Sequence, residues 1–151
     1  MDERVSASEI YSHDGIKDSL THLAAPPYFY ENLRREIASS ARTGKPISII
    51  KFIIKSDGSR YEESILSFAD LLMKSFRQED LIARMGQLEF TLLIRENEEL
   101  AAQLSRRFIS SWALLGSKTI TPSYAFVTYS NNEGALALLE RLDYFEPITP
   151  S

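Results

Sequence analysis

One segment in the first half of the chain limits the fold more than any other. Residues 47–54 read Ile-Ser-Ile-Ile-Lys-Phe-Ile-Ile, so that Lys51 interrupts an otherwise nearly continuous apolar run. β-Branched residues favour strands, and a strand of this character is typical of a position that is covered on both faces. The segment therefore predicts a central strand in a sheet with helices packed against it.

The pattern on either side of this segment predicts further helices and strands. Apolar residues at helical spacing mark the helices, and β-branched runs mark the strands. The first predicted elements are a helix from Pro26-Pro27 that ends before Gly44, the central strand, and a helix after the loop 56–59 whose far end carries residues 77–80. Two strands over 81–94, which turn at Gly86-Gln87, come next. They are followed by a helix capped by Asn97, a strand around 123–129 and a last helix. This order predicts an α+β fold, in which helices pack on a largely antiparallel sheet.

The composition limits the chemistry that the chain can support. Its 151 residues suffice for one domain, and they include no cysteine, two histidines and a formal net charge of −4. Thiolate and cysteine-zinc chemistry are therefore excluded, and the acidic balance argues against nucleic acid as a partner. No apolar run approaches the roughly 20 residues of a membrane span, so we expect a cytoplasmic chain.

Two motifs give a likeness that periodicity cannot supply. Residues 18–23 read Asp-Ser-Leu-Thr-His-Leu, and residues 77–90 read Arg-Gln-Glu-Asp-Leu-Ile-Ala-Arg-Met-Gly-Gln-Leu-Glu-Phe. The first resembles the Asp-x-Leu-Thr-x-Leu opening of GGDEF domains, and the second resembles their Arg-x-x-Asp segment and Gly-Gly-Asp/Glu-Glu-Phe turn. The resemblance implies a nucleotidyl-cyclase-like palm over residues 18–146 in a bacterial signalling protein, between an N-terminal tail or linker at 1–17 and a C-terminal tail at 147–151.

The same resemblance implies that the cyclase chemistry has been lost. Active members condense two GTP molecules with the help of acidic metal ligands, but Lys51 and Leu88 stand at the two positions that resemble those ligands. Gln87 replaces the second glycine of the signature turn, which here reads Gly86-Gln87-Leu88-Glu89-Phe90. The stretch that carries guanine-binding residues in the family is cut to residues 56–60. We therefore expect no enzyme activity, no bound metal and no cofactor.

Lys51 also needs a partner. An ammonium within an apolar strand must reach either water or a carboxylate, because an unpaired buried charge is costly. We expect Glu89 or Glu62 to pair with it, so that the ammonium stands near the vacated metal position.

The motif that is retained resembles the inhibitory site at which members of the family bind cyclic di-GMP. Arg77 and Asp80 match the Arg-x-x-Asp motif, and Arg107, or less favourably Arg106, lies where the family often adds another arginine. An arginine fork can donate two hydrogen bonds to guanine, and a carboxylate can accept from the guanine amide edge. The resemblance thus implies a cyclic di-GMP receptor or regulatory module whose output is association with another protein or domain, with a homodimer as one possibility.

Other interpretations stay open. An arginine and an aspartate three residues apart commonly form a solvated ion pair worth about 0–1 kcal/mol. A ligand-independent docking or dimerisation scaffold is therefore the principal alternative to a receptor. A weak nucleotide hydrolase with altered metal use is a third interpretation.

Overall fold

The computed structural model describes residues 11–150, so residues 1–10 of the expected N-terminal tail lie outside the described residues. The elements follow the predicted order of helix, strand, helix, hairpin, helix, strand and helix. They are α1 (Pro26–Thr43), β1 (Ser48–Ser56), α2 (Tyr61–Ser75), β2 (Leu81–Gly86), β3 (Glu89–Ile94), α3 (Glu98–Leu115), β4 (Ile120–Thr128) and α4 (Ala135–Tyr144).

The strands form one antiparallel sheet in the order β2-β3-β1-β4, which confirms the α+β fold and the central place of β1. Because successive side chains of a strand point to opposite faces, β1 contributes to two cores. Ile50, Phe52 and Ile54 face α2 and α3. Ile49 faces α1 and α4, and Lys51 shares this second face by alternation. An apolar core on each side explains why this strand is nearly continuously apolar.

The two helix ends that sequence signals specify are formed as expected. Gly44 adopts the left-handed conformation at φ 76° after α1, and its N–H donates to the Ser40 carbonyl. Asn97 accepts a hydrogen bond from the Leu100 N–H at the start of α3. A left-handed residue suits glycine, and a side-chain acceptor satisfies a helix donor that would otherwise be unpaired.

Two boundaries differ from the prediction, and both position candidate site residues. The hairpin turns at Gln87-Leu88 rather than Gly86-Gln87, because Gly86 pairs with Glu89 and Met85 is the extra residue of a bulge. The second helix ends at Ser75, so residues 77–80 form a turn between α2 and β2 instead of the end of the helix.

The segments that flank the core pack against the sheet. Ala24 bridges to Ala83 of β2, which places residues 18–24 beside the hairpin. At the other end of the chain, Ile148 and Tyr124 of β4 exchange two backbone hydrogen bonds of 2.7 and 3.0 Å. Residue 148 therefore extends the pairing at the outer edge of β4.

Candidate functional site

A buried arginine anchors the hairpin that corresponds to the signature turn. Arg84 is fully buried, and its Nη1 donates to the Asp18 carboxylate at 3.3 and 3.4 Å. Its Nη2 donates to the Gln87 carbonyl at 2.8 Å, and its guanidinium lies 5.2 Å from the centre of the Tyr11 ring. Each of these contacts restrains the hairpin, because they connect its first strand to its turn and to the segment before α1.

Asp18 is equally buried, and a local turn holds it in place. One of its carboxylate oxygens accepts hydrogen bonds from both the N–H and the hydroxyl of Thr21, each at 2.8 Å. The Asp-x-x-Thr motif thus presents a fixed carboxylate to Arg84. The structure therefore joins the two sequence motifs through one buried ion pair, which the sequence analysis did not predict although both partners lay within those motifs.

Lys51 is buried, as its place in the central strand requires, but its partner is not the predicted one. Its Nζ donates to Asp143 Oδ1 at 2.8 Å. The prediction of Glu89 or Glu62 as the hydrogen-bonding partner is wrong. Asp143 lies in the last turn of α4, the helix that covers this face of β1, whereas Glu62 lies exposed on α2, which covers the other face.

Glu89 lies close to this ion pair without joining it. It is directly opposite Ile53, two residues along β1 from Lys51, and therefore on the same face of the sheet. Burial raises the pKa of the Glu89 carboxyl; the Lys51 charge lowers it and the Asp143 charge raises it further. The Lys51 ammonium is thus hydrogen-bonded to one carboxylate, that of Asp143, and also acts on a second, that of Glu89, through its charge.

Leu88 occupies the other position that resembles a metal ligand. Its side chain packs against the core formed with α2 and α3, and its carbonyl accepts the Ile54 N–H at 2.9 Å. Lys51 faces the opposite side of the sheet. Across residues 11–150, no three carboxylate or imidazole side chains converge as a protein metal site would require.

Arg77 and Asp80 are brought together in one closed turn. The Arg77 N–H donates to Asp80 Oδ2 at 2.9 Å, and the Asp80 N–H donates back to the Arg77 carbonyl at 3.0 Å. Burial raises the pKa of the Asp80 carboxyl, and the hydrogen bond from Arg77 opposes this rise. The two reciprocal hydrogen bonds close the backbone turn and hold the Asp80 carboxylate in place without help from a ligand.

The turn lines an open groove of about 520 Å³, a size within the range of roughly 300–1,000 Å³ that small-molecule sites occupy. Arg77 and Asp80 form one wall, and the segment before α1 and the end of α2 form the others, through His22, Leu23, Ala24, Met73 and Phe76. Carboxylates surround the arginine: Arg77 Nη2 donates to Glu96 Oε2, and Nη1 lies 3.6 Å from Glu79. The Arg77 side chain is nevertheless 55% exposed, so its fork is accessible from the groove.

Arg107, the predicted third member of the site, is exposed on α3. It precedes Phe108, whose ring centre lies 6.3 Å from that of Phe76, the residue before Arg77. The charges of Arg77, Glu79 and Glu96 act on the pKa of Asp80. The role of Arg107 stays a prediction.

Several solved structures are similar to this architecture. The GGDEF domain of DgcB from Caulobacter crescentus, solved in complex with c-di-GMP, is 22% identical with a TM-score of 0.77 over 87% of this chain and 88% of that one. The FimX GGDEF domain from Pseudomonas aeruginosa is 18% identical with a TM-score of 0.68, over 92% and 90% of the two chains. Diguanylate cyclase SiaD from the same organism, solved with its activator SiaC, is 22% identical with a TM-score of 0.74, over 84% and 55%.

These similarities show that the chain has the GGDEF fold, an α+β palm with a four-stranded antiparallel sheet. No protein-family profile and no curated protein sequence matches the chain. Each helix within residues 11–150 is too short or too polar to span a bilayer.

Proposed function

We propose that this chain is a catalytically inactive GGDEF domain that binds cyclic di-GMP at Arg77 and Asp80, with Arg107 assisting, and changes its association with another protein in response. The observation that carries the proposal is the closed turn, whose Asp80 carboxylate is held by the Arg77 backbone and which places the exposed Arg77 side chain and Asp80 on the same open groove. The DgcB domain, which shares the fold, was solved with this ligand.

The charges at the hairpin support the proposed inactivity. An ammonium cannot coordinate magnesium, and Lys51 is held in place by Asp143. Leu88 has no ligand atom and lies against the core. Glu89 is then the one acidic side chain left in the signature turn, and the charge of Lys51 on β1 acts on it. A phosphate-bound metal would have to displace this ammonium before the turn could take part in catalysis.

The chemistry of the turn matches the edge of a guanine base. The fork of Arg77 can donate to O6 and N7, and the Asp80 carboxylate can accept from the N1 and N2 protons. Both groups line the same groove, on a turn that hydrogen bonds already close, so binding requires little ordering of the backbone. The arginine also supplies the positive charge that a phosphodiester needs.

Calorimetry with cyclic di-GMP on the wild type, Arg77→Ala and Asp80→Ala tests this proposal. Loss of the bidentate contact is worth about 1–3 kcal/mol, so we expect Arg77→Ala to weaken binding about 5- to 150-fold, and Asp80→Ala to weaken it less. The same wild-type preparation should make no cyclic di-GMP from GTP with magnesium or manganese. A wild type that does not bind at about 100 μM ligand, or an Arg77→Ala variant that binds equally well, would overturn the receptor proposal.

A ligand-independent docking or dimerisation scaffold is the second candidate, and one surface feature favours it. Leu114 and Leu115 end α3 with relative exposures of 85% and 76%, and adjacent exposed leucines are typical of contact surfaces. Sedimentation of the wild type and of Leu114→Glu without ligand tests this function. Self-association that the substitution removes supports the scaffold, and a monomer in both samples excludes dimerisation as its basis.

A further inference from the structure

The Arg77–Asp80 turn has a second polar side that the proposed ligand site does not use. A smaller cleft of about 150 Å³ opens there against α1, and Gln78 and Asp80 line both this cleft and the larger groove. The cleft also contains Arg95, Glu36 and Glu79. Asp80 therefore stands on a ridge between two openings, each of which holds one arginine.

The register of the hairpin explains why Arg95 reaches this position. Leu81 pairs with Leu93, so an antiparallel continuation by two residues sets Glu79 opposite Arg95. Arg95 then continues the face of the sheet that α1 covers, where Glu36 lies. Glu36 receives hydrogen bonds from Arg95 Nε and Nη2 at 3.0 and 2.9 Å.

The two arginines are held in the same way. Arg77 donates to Glu96 and Arg95 donates to Glu36, and both guanidiniums remain more than half exposed, at 55% and 64%. The pKa of Arg95 is raised, first by the hydrogen bond to Glu36, and the charges of Glu79 and Asp80 add to this effect. Glu36 thus occupies two donors of Arg95 and Glu96 occupies one donor of Arg77, donors that a guanine edge or a phosphodiester would otherwise receive.

We propose that Arg95 is a second ligand-contacting arginine of the site, on the α1 side of Asp80, and that Glu36 is its intramolecular competitor. The proposal rests on the proposed function, because it assigns Arg95 to the half of the same cyclic dinucleotide that Arg77 does not hold. A ligand with two guanines and two phosphodiesters can meet one arginine on each side of the ridge. Binding then requires Arg95 to exchange Glu36 for the ligand.

Calorimetry with cyclic di-GMP on Arg95→Ala, Arg95→Lys and Glu36→Gln tests the assignment beside the wild type and Arg77→Ala. We expect Arg95→Ala to weaken binding roughly fivefold or more, and Arg95→Lys to weaken it less because the charge persists without the fork. Glu36→Gln should tighten binding by up to roughly fivefold, since it removes an exposed competing ion pair.

Arg60→Ala is the matched control. Arg60 is also exposed and paired with a glutamate, Glu63, but it lies at the opposite end of the 15-residue helix α2, about 20 Å away. Its affinity should equal that of the wild type. Thermal unfolding checks that every variant is folded. If Arg95→Ala does not fold, the affinity of Glu36→Gln decides alone. Tighter binding than that of the wild type supports the proposal, and unchanged binding overturns it.

The outcomes separate this inference from the proposed function. If Arg77→Ala weakens binding while Arg95→Ala and Glu36→Gln behave as the wild type does, the role of Arg95 is overturned and the receptor function stands. If neither the wild type nor Glu36→Gln binds cyclic di-GMP, both are overturned together.

Discussion

At the hairpin and the strand beside it, the two cations Arg84 and Lys51 are buried and paired within the chain; at the Arg77–Asp80 turn, the cation Arg77 is exposed. Arg84 and Lys51 are 0% and 5% exposed, and each has a carboxylate of the chain as its partner. Arg77 is paired with Glu96 at the surface, where water or a ligand can take the place of the carboxylate. From this difference we expect a ligand to exchange partners more readily with Arg77 than with Arg84 or Lys51.

The largest effect should come from breaking the ion pair below the hairpin. Asp18→Ala leaves the Arg84 guanidinium buried without its carboxylate, and the loss of one partner of a buried pair costs about 3–5 kcal/mol. Arg34→Ala is the control, because its pair with Glu31 is exposed and should contribute about 0–1 kcal/mol. Urea unfolding of both variants measures the difference. Equal losses in the free energy of unfolding would show that the buried Asp18–Arg84 pair stabilises the fold no more than an exposed pair does.

A smaller loss of stability is expected at Lys51. Asp143→Ala removes the hydrogen-bonding partner of a buried ammonium, which should lower the free energy of unfolding by about 1–3 kcal/mol. Adding Lys51→Met to this variant should restore most of the loss, because an apolar side chain of similar size needs no partner. Urea unfolding of the single and double variants measures the loss and its recovery. A double variant that is no more stable than Asp143→Ala would contradict this account.

The smallest effect is a pH-dependent one at Glu89. Its pKa is raised in the folded state, mainly by burial, so the ionised carboxylate opposes folding above that pKa. Glu89→Gln should therefore raise the melting temperature at pH 7. The gain should vanish below about pH 4, where the carboxyl is protonated in both the folded and the unfolded states. A stabilisation that is independent of pH, or a loss at pH 7, would contradict the assignment.

The sequence predicts those features of the fold that depend on local patterns. The order of the elements, the glycine after α1 and the Asn97 cap follow from periodicity and from residues with special backbone or capping properties. The end of α2 at Ser75 was missed, because Phe76 continues the apolar spacing of the helix although its backbone is extended. Its ring instead packs near Phe108 of α3, which is a tertiary contact.

Long-range pairing explains what the sequence did not predict in the candidate site. The partner of Lys51 lies 92 residues away, on a helix whose rotation over the sheet no local pattern defines. The Arg95–Glu36 pair likewise joins residues 59 apart. By contrast, Arg77 and Asp80 lie within one four-residue motif, so the resemblance could name both residues, although it placed them at a helix end rather than in a turn.

The comparison between the two regions is tested most directly by mapping cyclic di-GMP binding onto individual backbone amides by NMR. The account predicts that titration shifts the amide signals of residues 77–82 and 95–96 and leaves those of the hairpin turn, residues 86–89, close to their ligand-free positions. Shifts confined to the hairpin turn would place the ligand at the segment that resembles the signature turn. That result, or the absence of any shift at ligand saturation, would contradict the central claim that the exposed turn holds the ligand.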